Sequence, residues 1–240
     1  MSPTFLSVII PAYNEEKRLP DTLAQVSQFL RAQPYSFEVI IVENGSQDRT
    51  LEIAQSFARQ QPEFRAIHET RRGKGLAIQR GMLEARGDYL FMCDADLSMP
   101  IGEIKRFLPP QLENMDIAIA SREAPGAVRY NEPAYRHLGG RLINTMIRWF
   151  ALPGLHDTQC GFKCFRAEVA RELFTRQTLP GFSFDIEILF IARKLGYQIL
   201  EIPVPWYYSA ESKVHAIRDA IQMGMDIFKI RTNAWQGLYR

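Results

Sequence analysis

Two aspartates one residue apart, Asp94 and Asp96, follow the short apolar run Tyr89-Leu90-Phe91-Met92-Cys93, itself opened by Gly87-Asp88. Such a run predicts a buried strand. Side chains of an extended chain alternate faces, so both carboxylates point the same way if the extended conformation continues. Carboxylates crowded at a strand end repel each other unless a cation lies between them or one is protonated. Hard divalent cations take oxygen ligands, and Mg²⁺ typically uses one or two carboxylates with substrate phosphates completing its shell. The pair therefore predicts a metal site that holds a nucleotide diphosphate. A solvated turn after a strand would explain the same two residues, and the neighbouring segments have to decide.

Those neighbours are positioned by alternating strands and helices. Leu6–Ile10 reads as a strand closed by Pro11, residues 15–32 as a helix with Leu19, Leu23, Val26, Phe29 and Leu30 on one face, and Glu38–Val42 as a second strand leading into Glu43-Asn44-Gly45-Ser46. Asp48 and Thr50 open a helix to about Gln60, Phe64–His68 forms a short strand, and 75–86 is helical. This order implies an α/β fold with a mostly parallel sheet and helices on both faces, where ligands bind beyond the carboxyl ends of the strands. Pro11–Glu15, Glu43–Ser46 and Asp94–Asp96 all fall at such ends. Further on, Ile117–Ala120 reads as a strand. Residues 138–150 read as a helix with Leu142, Ile143, Met146, Ile147 and Phe150 on one side. Residues 184–195 are helical and Ile199–Val204 a strand. From about His215 to Thr232 the chain is helical, with Ile217, Ile221, Gly224, Met225 and Phe228 on one stripe that invites self-association. One continuous domain over 1–240 is expected, with a nucleotide-binding half to about residue 100 and an acceptor-side half after it.

Composition sets bounds. Apolar residues make up 46% of the 240, enough for a core, and the net charge of +2 gives no sign of a nucleic-acid partner. The three cysteines lack zinc spacing, so reduced thiols in the cytoplasm are expected. Neither a signal peptide nor a spanning apolar run is seen, so any membrane contact would be peripheral, at the cytoplasmic face. Arg71-Arg72-Gly73-Lys74-Gly75 is basic and glycine-bearing but lacks P-loop spacing, which fits a nucleotide-contacting loop better than an ATPase. Arg122, Arg129, Arg136, Arg141 and Arg148, set against Glu123 and Glu132 and beside an apolar stripe, suit an anionic membrane surface as well as a solvated helix face.

Pro11-Ala12-Tyr13-Asn14-Glu15-Glu16, Glu43 to Thr50, Gly73-Lys74-Gly75 and Asp94-Ala95-Asp96, in this order, resemble a family 2 inverting glycosyltransferase of the GT-A fold. Ala120-Ser121-Arg122, Asp157-Thr158-Gln159-Cys160-Gly161-Phe162-Lys163, Phe184-Asp185-Ile186-Glu187 and Ser212-Lys213-Val214 narrow the resemblance to polyprenyl- or dolichyl-phosphate sugar transferases, most closely the β-glucosyltransferase branch. The resemblance implies that Pro11, Ala12, Tyr13, Glu15, Glu43, Lys74, Asp94 and Ala95 hold the nucleotide-sugar. Glu43 stands where the family commonly has Asp. An ordinary helix start with Asn14 as N-cap would account for Tyr13 and Glu15 too. Asp96, with Asp94, is implied as the ligand of Mg²⁺ or Mn²⁺; the Gln that some relatives add two residues later is here Ser98.

The implied reaction moves a hexose, glucose from UDP-glucose before mannose from GDP-mannose, to a polyprenyl or dolichyl phosphate. A hydroxyl acceptor needs a general base, for which Asp157 is available. A phosphate is already largely dianionic near neutral pH and needs charge neutralisation instead, for which Arg122, Arg136 and Lys213 are suited. Asp157 then has an arginine or the sugar to orient, and its role stays open. Of Asp185 and Glu187, two apart on a helix, only one is expected to face the site. A catalytically inert nucleotide-sugar-binding protein is the non-enzymatic alternative.

Overall fold

The computed structural model describes residues 4–110, 113, 115–133, 145, 147–208 and 216–240, the last stretch without the side chains of 216–220. Its elements are β1 (Leu6–Ala12), α1 (Leu19–Arg31), β2 (Phe37–Glu43), α2 (Thr50–Gln60), β3 (Phe64–His68), α3 (Lys74–Glu84), β4 (Tyr89–Cys93) and a 3₁₀ turn (Ile101–Phe107). There follow β5 (Ile117–Ser121), β6 (Val128–Tyr130), β7 (Phe162–Arg166), α4 (Ala167–Thr175), α5 (Phe184–Lys194), β8 (Ile199–Pro203), β9 (Pro205–Tyr207) and α6 (Ala216–Trp235).

Seven strands form one sheet in the order β3-β2-β1-β4-β7-β5-β8. All neighbours are parallel except β7, which is antiparallel to both β4 and β5. The central strands are β-branched and apolar throughout because both of their faces are covered. Ile9, Ile40, Val42, Leu90 and Met92 pack against α3, α4, α5 and α6. Val8, Ile10, Val39, Ile41 and Phe91 pack against α1, Ala54 of α2 and the 3₁₀ turn. The two-residue period thus sends successive side chains into two separate cores. Every parallel strand ends on the same edge, and the reversed β7 begins there, with Phe162 opposite Cys93.

Several sequence expectations change. The chain does not stay extended through Asp94–Asp96: β4 stops at Cys93 and a turn follows, with Leu97 N donating to Asp94 O at 3.3 Å and Leu97 at φ 45°. Turn geometry, not strand alternation, brings the two carboxylates together. The first helix begins at Leu19, with Pro20 in its first turn, and Asn14 is not its N-cap. Instead Asn14 adopts φ 51° and its Oδ1 accepts from Gln47 N at 2.8 Å. Near residue 150, Ile147 is buried but Phe150 is exposed, while Leu142, Ile143 and Met146 lie outside the described residues. One expectation holds: in α6 Ile221, Met225 and Phe228 face outward, while the buried stripe is Met223, Ile227 and Ile230. The strand β7, the helix α4 and the small parallel ribbon β6–β9 were not anticipated.

Candidate active site at the carboxyl edge of the sheet

The first two loops are stitched together by short-side-chain caps. Asn14 N donates to Ser46 Oγ at 3.0 Å, Glu15 N to Thr50 Oγ1 at 2.7 Å and Glu16 N to Asp48 Oδ2 at 3.1 Å. Ala12 is buried and its carbonyl accepts from Asn44 N at 3.2 Å, next to Pro11. The Glu15 carboxylate is gripped by Arg18 Nε at 2.8 Å and Nη2 at 2.9 Å. Glu43 is buried, accepts from Ser46 N, and meets His68 Nδ1 at 2.6 Å. His68, at the end of β3, is therefore an edge residue that the sequence reading missed. It carries no motif signal, only its register opposite Glu43. Across this opening the Arg72 guanidinium lies 4.7 Å from the Tyr13 ring centroid, close enough for a cation–π contact.

Lys74, the first residue of α3, reaches Asp94 Oδ1 at 2.6 Å. Burial works against the Lys74 charge, but Asp94, Asp185 and Asp96 outweigh it and hold the ammonium above its ordinary pKa. Asp96 keeps an edge open to solvent. Partial desolvation first, and the Asp94 carboxylate second, raise its carboxyl above the usual range, while Ser98 N at 3.0 Å opposes the shift. Ala95 between them is buried and its carbonyl accepts from Thr22 Oγ1 at 2.6 Å.

Beneath this turn lies Gly161, whose carbonyl accepts from Asp94 N at 3.2 Å. A Cβ on Gly161 would stand 2.0 Å from Asp94 Oδ2, so the carboxylate sits in a cradle that only glycine leaves open. Gly73, at φ 146°, serves another close approach: its missing Cβ would meet Pro180 O at 2.2 Å. The glycines of the basic loop thus let the 179–181 segment pack against it.

Behind Lys74 a buried pair completes a row of alternating charge. Lys163 Nζ donates to Asp185 Oδ1 and, at 2.6 Å, to Cys160 O. Burial raises the Asp185 carboxyl, with Lys163 and Lys74 pulling it back down. Glu187 points away, as the helical spacing requires, and accepts from Thr178 N, Thr178 Oγ1 and Leu179 N at 3.0, 2.6 and 2.8 Å and from Tyr239 OH at 2.6 Å.

The far side of the cleft is built from β5 and the segment before β7. The buried Asp157 carboxylate takes Arg122 Nε at 2.6 Å and Nη2 at 3.0 Å. Burial alone would raise the Asp157 carboxyl, but the Arg122 guanidinium and its hydrogen bonds more than offset this and hold it at about 2. Arg122, still partly exposed, lies 5.5 Å from the Trp206 ring centroid and Arg129 5.6 Å from it. Arg129 is neutralised by Glu123 at 2.5 Å and Glu132 at 2.7 Å, so it is not the free basic residue that its spacing suggested. Trp206 of β9 was not foreseen either. The next residue, Tyr207, donates its N–H to Ser98 O at 2.8 Å and ties the ribbon to the Asp94–Asp96 turn. Arg136 and Lys213 lie outside the described residues.

The donor set suits a hard divalent ion. Two carboxylates converge, one with its pKa raised by its surroundings and the other already neutralised by an ammonium that stands in for positive charge. Among the described residues no group of three or more His, Cys, Asp or Glu could hold an ion.

Comparison with known proteins decides the family. The model of glycosyl transferase family 2 matches residues 7–174, more than half of the chain. The chain belongs to glycosyl transferase family 2. It is a glycosyltransferase, and the match spans the strand edge from β1 to α4. The chain is similar to the dolichyl-phosphate beta-glucosyltransferase of Dictyostelium discoideum, at 34% identity over 98% of this chain and 76% of that protein. In structure it is similar to mannosyl-3-phosphoglycerate synthase from Rubrobacter xylanophilus, with a TM-score of 0.71, 17% identity and coverage of 98% and 75%. It is also similar to glucosyl-3-phosphoglycerate synthase from Mycobacterium tuberculosis in complex with Mn²⁺, UDP and phosphoglyceric acid, with a TM-score of 0.67, 18% identity and coverage of 95% and 77%. These likenesses give the chain the GT-A architecture expected for the family.

Proposed function

We propose that this family 2 enzyme transfers glucose from UDP-glucose to a polyprenyl phosphate of the dolichyl type, with inversion at the sugar. The observation that carries the reading is the state of Asp157. A general base needs a carboxylate free to take a proton. Asp157 is buried, spends both oxygens on Arg122 and is held at about 2. Such a group orients an arginine. An arginine held this way presents its remaining donors to an anionic nucleophile, and a phosphate monoester needs that positioning rather than deprotonation. The dolichyl-phosphate beta-glucosyltransferases among the similar proteins support the same choice of acceptor and sugar.

On the donor side, the Tyr13–Arg72 contact and the Glu43–His68 pair frame the opening for the nucleoside. Lys74 and the Asp94–Asp96 turn face the diphosphate. Mn²⁺ or Mg²⁺ held by Asp96 and Asp94 would supply the charge that lets the nucleotide leave. Lys74 would exchange its partner Asp94 for phosphate oxygens as the donor enters, with Asp185 and Lys163 keeping the row balanced behind it. Arg122, assisted by Arg136 and Lys213, holds the acceptor phosphate in line with the sugar carbon. A polyprenyl phosphate is met at a membrane surface, so the reading makes the chain a peripheral membrane protein. Among the described residues no helix is long and apolar enough to cross a bilayer.

The test is transfer of labelled glucose from UDP-glucose to a short, water-soluble polyprenyl phosphate in Mn²⁺, with GDP-mannose and the corresponding polyprenol as comparisons. Saturable transfer to the phosphate, abolished by chelation and absent with the alcohol, is expected. Equal transfer to the alcohol would overturn the acceptor assignment.

A further inference from the structure

The last helix is apolar on two opposite faces, and the fold uses one. Met223, Ile227 and Ile230 enter the core. Ile221, Met225, Phe228 and Trp235 follow one another at spacings of four, three and seven and share the opposite stripe. Phe228 is 76% and Trp235 86% exposed. Arg231 Nη1 donates to Phe150 O at 3.3 Å and draws the helical segment 147–150 alongside, where Trp149 is 79% exposed and Phe150 also stands in solvent. With Leu238, these make seven of the twelve exposed large hydrophobics among the described residues. Seven on two adjoining segments are a patch rather than scatter, and such patches mark interaction sites.

The charges around the patch identify its occupant. Lys229 and Arg231 flank the stripe, one on each side, and exposed Arg148 adjoins Trp149. The acidic Asp226 is half-buried and lies off the stripe, where exposed Gln222 Nε2 donates to it at 3.0 Å. An isologous dimer repeats the same patch on both partners, which would bring these cations against their own copies. An anionic lipid surface complements them. Apolar side chains enter the acyl boundary, Trp settles at headgroup level, and lysine and arginine stems reach back to the phosphates.

We propose that Ile221, Met225, Phe228, Trp235, Trp149 and Phe150 form the face that seats the protein on an anionic membrane. The proposal rests on the polyprenyl-phosphate reading for its purpose, since that acceptor must be taken from a bilayer, but not for its test. The full chain is sedimented with vesicles of phosphatidylcholine, with and without phosphatidylserine. Binding that requires phosphatidylserine and weakens with salt is expected. Phe228→Ser with Trp235→Ser should weaken it on the order of tenfold or more per side chain. Lys229→Glu should weaken binding to the anionic vesicles only. The thermal midpoint, and transfer to the water-soluble acceptor, should not change in any of these variants. Vesicle binding indifferent to the paired serine substitutions overturns the proposal. So does a wild-type dimer in light scattering that the same substitutions convert to monomer. Absence of transfer in every variant would instead reject the acceptor reading and leave the vesicle result to decide the face.

Discussion

Arg122 donates to the Asp157 carboxylate three times: from its backbone N at 3.0 Å, Nε at 2.6 Å and Nη2 at 3.0 Å. The pair joins the end of β5 to the segment before β7, so it fixes both the direction of the guanidinium and the width of the cleft.

Asp157→Asn removes the charge but keeps the shape. Breaking a buried pair costs ~3–5 kcal/mol. Arg122 keeps 22% of its side chain in solvent, so about 2–3 kcal/mol is a fitting expectation here. For a chain of this size that lowers the thermal midpoint by roughly 5–10 °C. Transfer should fall on the order of a hundredfold, with the acceptor KM raised, because the guanidinium loses its direction. The pH dependence of what activity remains should keep the wild-type shape. A base ionisation present in the wild type and missing in Asp157→Asn, with the acceptor KM unchanged, would show that Asp157 removes a proton.

Gly161→Ala isolates the Asp94 turn. The added methyl would overlap Asp94 Oδ2, Cγ and Oδ1 at 2.0, 2.3 and 2.6 Å. The atoms that must yield belong to a partly exposed side chain, so the fold tolerates the change while the carboxylate swings away from Lys74. We expect kcat/KM to drop about a hundredfold or more, the order produced by an ångström of misplacement. The thermal midpoint should fall by only a few degrees. Full activity with Mn²⁺ would mean that Asp94 has no fixed place in the reaction.

Much of this was legible in the sequence. Continuous β-branched runs announced the buried parallel strands, and the polar segments after them fell on one edge as parallel topology demands. What failed has a local cause in each case. Strand alternation was carried past Cys93 although a turn begins at Asp94, a change signalled only by the unusual backbone of Leu97. Asn14 looked like a helix cap because asparagine favours that position, yet its side chain bridges to the second loop. The partnership of Gly161 with Asp94 and of Lys163 with Asp185 depends on β7 entering the sheet backwards between β4 and β5, a long-range pairing without local signature. The outward stripe of α6 was legible, with Ile221, Met225 and Phe228 exposed as expected, but the second apolar stripe that the core takes, Met223, Ile227 and Ile230, was not separated from it, because a helix apolar on two faces does not reveal which one is buried.

Tyr239→Phe tests how the end of the chain reaches the donor loop. Tyr239 is buried, and its hydroxyl donates to Glu187 at 2.6 Å and accepts from Asn233 Nδ2 at 3.1 Å. Glu187 in turn holds Thr178 and Leu179, and Leu76 N donates to Pro180 O at 3.3 Å. Losing one hydrogen bond to a charged group costs ~1.5–3 kcal/mol. The slack should appear as a several-fold rise in the nucleotide-sugar KM with kcat nearly constant. An unchanged KM beside a lowered thermal midpoint would confine Tyr239 to a structural role.

Acid stability follows from the depressed carboxyls. The Asp157 carboxyl lies at about 2 against an ordinary 3.8, and Glu69, held down chiefly by its hydrogen bond to Arg71, at about 2 against 4.5. A group whose pKa is lower folded than unfolded stabilises the fold fully above the unfolded value and loses that contribution as pH falls through the folded one. For Asp157 this is about 2 kcal/mol, disappearing between roughly pH 4 and pH 2. Glu69 adds less than its shift suggests, since Arg71 is mostly exposed and the pair is screened. Denaturant midpoints of the wild type and Asp157→Asn should therefore be furthest apart near neutral pH and converge below pH 4. A separation that stays constant down to pH 2 would mean that the Asp157 carboxyl titrates normally in the folded chain and that Arg122 does not hold it ionised.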